Sequence, residues 1–184
     1  MKKALILIDI QNDYFPGGKM ELDKADEAGV KAGQILSAAR KNGFLVIHIK
    51  HLSTRSGATF FIPDTPGSEI HPCVTPEEEL VITKNFPNSF KETNLLENLE
   101  QRDIELLVIC GMMTHMCVDS TVRAAADLGY RCIVAADACA TKDLIWQGET
   151  IPSRAVQGAF LSAMAGLFAD VKNTDEIINT FFQG

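Results

Sequence analysis

The sequence predicts an α/β protein: a three-layer α/β/α sandwich around a six-stranded parallel sheet in the Rossmann-like order 3-2-1-4-5-6. Three observations lead there. Short β-branched or leucine-rich runs alternate with segments of helical periodicity along all 184 residues, the pattern of successive βαβ units with right-handed crossovers. Several of the strand-like runs are continuously apolar, as strands buried on both faces should be. No linker, internal repeat or composition shift divides the chain, so one domain is expected over residues 1–184.

The elements follow in order. Ala4–Ile10 (ALILIDI) is apolar up to Asp9 and forms the first strand. Asp23–Asn42 sets Ala28, Ala32, Ile35, Leu36 and Ala39 on one helical stripe, and Asn42-Gly43 supplies the stop. Phe44–Ile49 is the second strand and Glu79–Thr83 (ELVIT) a short third. Thr93–Arg102 reads as a helix with Leu95, Leu96 and Leu99 inward. Glu105–Cys110 is the fourth strand, ending at Gly111, and the helix Met116–Leu128 is stopped by Gly129. Arg131–Ala136 is the fifth strand. Pro152–Leu167 is a helix whose proline occupies the first turn, where no N–H is required. Phe168–Val171 is the sixth strand, and Asp175–Phe182 the closing helix. Two irregular stretches, Lys50–Glu78 and Asp137–Thr150, are long for a compact domain. Such loops serve as functional rims or as contacts between subunits.

Composition removes several classes of function. Seventeen basic against 24 acidic residues leave a net charge of −7, and 46% of the chain is hydrophobic against 22% charged. That is a globular composition, not a disordered one. An acidic balance without a basic stripe argues against nucleic acid and anionic membranes as partners. No apolar stretch approaches the roughly 18–20 residues that span a bilayer. The cysteines lie at 73, 110, 117, 132 and 139, an odd number with no C-x-x-C pair, and a strand begins directly after Met-Lys-Lys. A cytoplasmic protein with reduced thiols is the expectation. Most of these thiols should be buried packing.

In doubly wound sheets, ligands sit beyond the carboxyl ends of the strands. The first strand ends in Asp9, within Asp9-Ile10-Gln11-Asn12-Asp13-Tyr14-Phe15, and the third in Lys84. The fourth ends in Cys110-Gly111, and after a short turn Cys117 opens the next helix. Asp9 closes an apolar run, either as a turn-initiating residue or as half of a charge pair. Asp13, among Gln11, Pro16, Gly17 and Gly18, reads as a loop-fixing residue. A lone lysine after ELVIT is ordinarily a solvated strand end. A thiol in the first turn of a helix meets the positive end of the macrodipole and unpaired N–H groups, which favour thiolate and can receive an oxyanion. Taken alone, Cys117 reads equally as a small packed helix residue. Cys110 and Cys132, inside strands, read as packing, and Cys73 and Cys139, in loops, are ambiguous.

Together these positions are more specific. Cys110-Gly111-Met112-Met113-Thr114-His115-Met116-Cys117-Val118-Asp119-Ser120-Thr121, followed by Ala124-Ala125 and Gly129-Tyr130, resembles the nucleophile segment of the isochorismatase-like cysteine hydrolases. That family, which includes nicotinamidases and N-carbamoylsarcosine amidase, has the pattern G-x-x-T-x-x-C-V, then T, then A and G-Y. Asp9-x-Gln11-x-Asp13-x-Phe15 resembles its first motif and Lys84 its second, so the likeness covers essentially the whole chain. It implies a triad: Cys117 as nucleophile, Asp9 as the base that takes its proton, and Lys84 as the cation that balances Asp9 and polarises the site. It also implies a cis peptide between Met112 and Met113, which would aim the Met113 N–H at the same point as the Cys117 N–H and complete an oxyanion hole. Gln11 would orient Asp9.

Nicotinamidases in the family bind a metal through Asp-x-His after the second strand, with further histidines. Here that strand reads His48-Ile49-Lys50-His51 and has no Asp-x-His. Neither metal nor cofactor is expected, His51 and His71 being the one makeshift combination. Isochorismate hydrolysis cleaves a vinyl ether and needs no cysteine. Retention of Cys117 therefore points to hydrolysis of a C–N bond in a small amide, ureido or carbamoyl substrate through a thioester. Phe15, His48, Phe60, Phe61 and Trp146 are candidate pocket walls, and Arg55 a candidate partner for a substrate carboxylate. The alternatives are an isochorismatase-type hydrolase of a small metabolite, a non-catalytic small-ligand-binding or scaffold member, and a thiol sensor, for which no resolving C-x-x-C partner exists. The resemblance also implies a homo-oligomer, a dimer or tetramer. Lys50–Glu78 or the apolar Ile177, Ile178, Phe181 and Phe182 are candidate contacts, although the C-terminal stripe reads equally as core.

Overall fold

Residues 1–181 are described by a computed structural model. Its strands are β1 (Lys2–Ile8), β2 (Leu45–His51), β3 (Leu80–Lys84), β4 (Ile104–Met112), β5 (Arg131–Ala140), β6 (Leu144–Trp146), β7 (Glu149–Ile151) and β8 (Asp170–Lys172). Six of them form one parallel sheet in the order β3-β2-β1-β4-β5-β8, with β8 as the sixth strand of the sequence reading. The helices are α1 (Ala25–Lys41), α2 (Leu95–Glu100), α3 (Asp119–Asp127), α4 (Ser153–Met164) and α5 (Thr174–Phe181). α1 packs beside α5 and α3 beside α4, so helices cover the sheet as the third layer requires. Among the described residues no helix is long and apolar enough to cross a membrane.

Burial follows the sequence pattern. Ala4–Ile8 of β1 and Leu106–Cys110 of β4 are almost without exposure, because the central strands have helices on both sides. Ala28, Ala32, Ile35, Leu36 and Ala39 of α1 are buried on the stripe, and Leu95 and Leu99 of α2 are fully buried while Leu96 is half-buried. At the C-terminus Ile177 is fully buried and Ile178 packs against the core. The stripe that reads equally as interface or core is core at these positions; the side chain of Phe181 and all of Phe182 lie outside the described residues.

Register brings the strand ends together. Ile8 of β1 pairs with Ile49 of β2 on one side and Gly111 of β4 on the other, and His51 pairs with Lys84 where β2 and β3 end. β1 stops two residues earlier than its apolar run suggests. Asp9 turns the chain with φ +50°, in the left-handed region that aspartate tolerates better than most residues. β5, expected to end at Ala136, continues to Ala140 past a register shift, which moves Cys139 from a loop into the sheet.

The two long loops differ in kind. The second holds an unexpected antiparallel hairpin, β6–β7, in which Trp146 faces Glu149 across a Gln147-Gly148 turn with both φ angles positive. Such a turn is usually announced by Asn-Gly or Asp-Gly, and Gln-Gly is a poor signal for it. The first loop is irregular but firmly tied. Asp13 accepts from the Phe61 N–H (2.7 Å) and the Lys19 N–H (3.2 Å), and Asn12 donates to the Pro66 carbonyl (2.7 Å). Arg40, in the last turn of α1, holds Glu79 at 2.6 and 3.2 Å just before β3. That pair keeps the Glu79 carboxyl down at about 2.

His48 lies within β2, 1% exposed, its Nε2 without a hydrogen bond and 4.0 Å from Glu79. Burial first, with Glu79 pulling against it, lowers its pKa from 6.5 to about 4. The folded state therefore rejects a proton that the unfolded chain takes up below pH 6.5. Stability should fall as pH drops from 6.5 towards 4, by about 2–3 kcal/mol from this residue. Urea denaturation of His48→Gln across that window should show a correspondingly shallower pH slope; an unchanged slope would mean that His48 protonates in place.

Candidate active site

The carboxyl end of the sheet gathers three side chains around one buried ammonium. Lys84 Nζ donates to Asp9 Oδ2 at 2.7 Å and to Cys117 Sγ at 3.2 Å, and meets His51 Nδ1 at 2.9 Å. An ammonium has three protons to place, and these contacts account for all of them. Asp9 and Lys84 are 0% and 1% exposed. Burial lowers the Lys84 pKa, but the Asp9 carboxylate and the Cys117 sulfur more than offset it and the net shift is upward. His51 moves the other way, to about 4, through burial and then the neighbouring ammonium. It is a neutral imidazole whose Nδ1 accepts from Lys84, which leaves its proton on Nε2.

Asp9, His51 and Cys117 place their ligand atoms within 4.8 Å of one another, the one such metal-binding-type group among the described residues. Its centre is occupied by the Lys84 ammonium, which touches all three members. The cation is thus built in, and a metal would have to displace it. His71 is not part of this group. Its ring stacks on Phe15 (3.5 Å between centroids, 5° interplanar) and its Nδ1 accepts from the Cys73 N–H.

Cys117 sits in a single π-helical turn, Thr114–Val118, that leads into α3. Val118 N donates to the Met113 carbonyl five residues back, and Asp119 N reaches the Thr114 carbonyl in the same spacing. The turn is fastened to the end of β5 by Thr114 Oγ1 on the Ala140 carbonyl (3.2 Å) and by His115 on Thr141 (2.6 Å). The Met112–Met113 peptide bond is cis. Gly111, at φ +132°, lies against the Ile8 backbone so closely that any Cβ would collide with it.

The expectation of an acidified thiol is not met. Burial, then the Asp9 charge, pushes the Cys117 pKa well above its ordinary value against the pull of Lys84. Burial raises Cys73 to about 11 and Cys132 and Cys139 to about 12. Acidity therefore does not single out Cys117. Its neighbours do, because a protonated thiol lies beside a carboxylate whose Oδ1 is buried without a hydrogen-bond partner.

Cys117 and Met113 open onto a cavity of about 530 Å³. Arg55 and Phe60 line it, but the four other candidate walls do not. Phe15 turns away to pack on His71 and Gly29, because the tight turn Asn12–Tyr14 presents Tyr14 instead. His48 points towards Glu79, three residues before His51 at the strand end and so on the opposite face of β2. Trp146 is 68% exposed on the hairpin. Phe61 is fully buried behind the wall, with its ring 4.5 Å from Tyr14. Gln11 does not orient Asp9. Its side chain holds the main chain of His51 at both groups (2.8 and 2.9 Å) and the Ser68 carbonyl (2.8 Å). Unforeseen lining residues are Tyr14, Met20, Asn85, His115, Met116 and Lys142. Tyr14 lies inside the first motif, next to Phe15. Burial and the nearby Cys117 and Asp9 raise its hydroxyl pKa, so it faces the cavity as a protonated donor.

Comparison with known proteins is consistent in direction. Residues 3–176 match the family model of the isochorismatase domain. An isochorismatase family protein of Bacillus subtilis, YddQ, is 46% identical over 179 residues, covering 97% of this chain and 99% of that protein. A streptothricin hydrolase of Streptomyces noursei is 33% identical over 77% of this chain and 51% of its own length. Among solved structures, an isochorismatase hydrolase from Oleispira antarctica superposes with a TM-score of 0.93 at 44% identity, covering 97% of this chain and 96% of that one.

If the ammonium and the carboxylate form one unit, removing either alone should cost far more than removing both. Lys84→Met leaves a buried carboxylate unpaired and should cost about 3–5 kcal/mol. In urea denaturation the Asp9→Asn/Lys84→Met double variant should lose clearly less than the sum of the two single variants. Simple additivity would refute the coupling.

Proposed function

The chain belongs to the isochorismatase family, and on that footing we propose that it is a cysteine hydrolase that cleaves the C–N bond of a small amide, ureido or carbamoyl substrate through a thioester on Cys117. The observation that carries the reading is the Lys84 ammonium held at 2.7 Å from Asp9 and 3.2 Å from Cys117, beside a cavity sized for a small molecule. A relative named as a streptothricin hydrolase supports the hydrolase part.

Each residue then has a step. Asp9 Oδ1 takes the thiol proton as the Cys117 sulfur attacks the substrate carbonyl carbon. A thiol that is protonated at rest suits this, since the thiolate forms only as it is used. The carbonyl oxygen becomes an oxyanion received by the N–H groups of Met113 and Cys117. The proton on Asp9 passes to the leaving nitrogen, the C–N bond breaks, and ammonia or an amine departs. Water enters and loses a proton to Asp9, and its oxygen attacks the thioester carbon. The C–S bond breaks, the acid leaves, and the proton returns to sulfur. Lys84 balances the carboxylate throughout.

Ammonia release from a panel of small amides and ureides, measured for the wild type and Cys117→Ala, tests the covalent route. The substitution should reduce the rate by about 10³-fold or more, and mass spectrometry of the quenched wild type should find an acyl adduct on the Cys117 peptide. Turnover that survives in Cys117→Ala would overturn it. Separately, Tyr14→Phe, which removes the one protonated phenol in the cavity, should raise KM by about 5–10-fold with a smaller change in kcat, as expected for an orienting hydrogen bond worth about 1–1.5 kcal/mol.

A further inference from the structure

The cavity carries a charge pattern opposite to that of the protein. The chain has a net charge of −7, yet no aspartate or glutamate lines the cavity, while Arg55 and Lys142 both do and Lys84 lies beneath its floor. Of the carboxylates behind the lining, Asp9 is committed to Lys84 and Asp13 to the N–H groups of Phe61 and Lys19. The two lining cations differ from those that are neutralised by a neighbouring acid. Lys31, Arg40, Lys50 and Arg123 each hold a carboxylate. Among the described residues Arg55 and Lys142 form no ion pair, and the Lys142 ammonium rests 3.3 Å from the Met20 sulfur, a weak acceptor. Their charge is felt inside. Both imidazoles that line the cavity are lowered in pKa by burial and also by these cations, His115 by Lys142 and His51, after Lys84, by Arg55.

We propose that the cavity selects substrates bearing a carboxylate, held by Arg55 and Lys142 while the scissile amide reaches Cys117. This deepens the hydrolase reading and rests on it for the word substrate; the electrostatic selection itself does not. Two unpaired cations with low-dielectric walls and no competing anion concentrate a small carboxylate and orient it. Arg55 offers a planar fork suited to bidentate contact and Lys142 a point charge. Arg55 is exposed and Lys142 half-buried, so both can meet a ligand on entry.

The test uses two thiol reagents that are alike in shape and differ in charge, iodoacetate and iodoacetamide. Either forms an S–CH₂ bond to Cys117 as iodide leaves, and the thiol proton passes to Asp9 or to water. Peptide mass mapping separates Cys117 from the half-buried Cys73. The iodoacetate-to-iodoacetamide rate ratio at Cys117 should exceed that of free cysteine by about tenfold. In Arg55→Gln/Lys142→Gln it should fall by about the same factor. In Lys41→Gln/Arg131→Gln, which removes an equal charge at the end of α1 and the start of β5, it should stay as in the wild type. A wild-type ratio no higher than that of free cysteine overturns the proposal, as does a ratio that survives the double substitution or a Cys117 that neither reagent reaches. A second arm compares ammonia release from succinamate and from its methyl ester, with the acid expected to lead by about tenfold in kcat/KM. A preference for the ester overturns the proposal. Absence of turnover on both, with the alkylation ratio intact, counts against the hydrolase reading alone.

Discussion

A buried ammonium must find an acceptor for each of its protons, and most of this structure can be understood as the way that demand is met. The acceptors for Lys84 come from residues 9, 51 and 117, far apart in sequence. Left unpaired, an ion at that depth would cost several kcal/mol. Pairing requires β1, β2 and β3 to end at one level and the turn after β4 to fold over them. The strand order does this, because β1 lies between β2 and β4 and β3 lies next to β2.

The same demand accounts for several local departures from regular structure. Asp9 leaves β1 with a positive φ while its N–H still reaches the Ile49 carbonyl at 3.0 Å. Glycine is required at 111 because the chain there runs against Ile8. The π-helical turn widens the start of the helix and sets the Cys117 sulfur on the ammonium. Gln11 and Asp13 work at one remove. One grips the main chain of His51, the other pins Phe61, and together they hold the irregular loop against the strand ends.

Much of this was legible in the sequence, for definite reasons. Continuous apolar runs separated by helical stripes define a parallel sheet, and the residue that closes each run must lie at its carboxyl edge. The pattern of the sequence therefore places Asp9, Lys84 and Cys117 near one another. His51 also closes β2, but the apolar run of that strand ends at Ile49, two residues short, so the pattern places His51 in the following loop. The walls were less legible because they hang on loop geometry. A turn of a single residue decides whether Tyr14 or Phe15 faces the cavity, and nothing in the local pattern distinguishes them. The ionisation of Cys117 is not legible in the sequence, because a helix start favours thiolate and only the depth of the site reverses it. Burial dominates, and depth is a property of the assembled fold.

One further feature concerns the history open to such a protein. The segment from Ser53 to Phe61 is closed on itself by the Ser53 N–H on the Phe61 carbonyl at 2.9 Å, and its far end is held by Asp13. It contributes Thr54, Arg55, Ser56, Gly57 and Ala58 to the cavity, yet the hydrogen bonds that hold Asp9, Lys84 and Cys117 together involve none of these. Doubling the length of a flexible loop costs only about 0.6 kcal/mol in closure entropy. This wall can therefore be lengthened, shortened or rewritten while the reactive centre stays intact. Drift in that one closed segment offers an inexpensive path to new ligand preferences on an unchanged chemical engine.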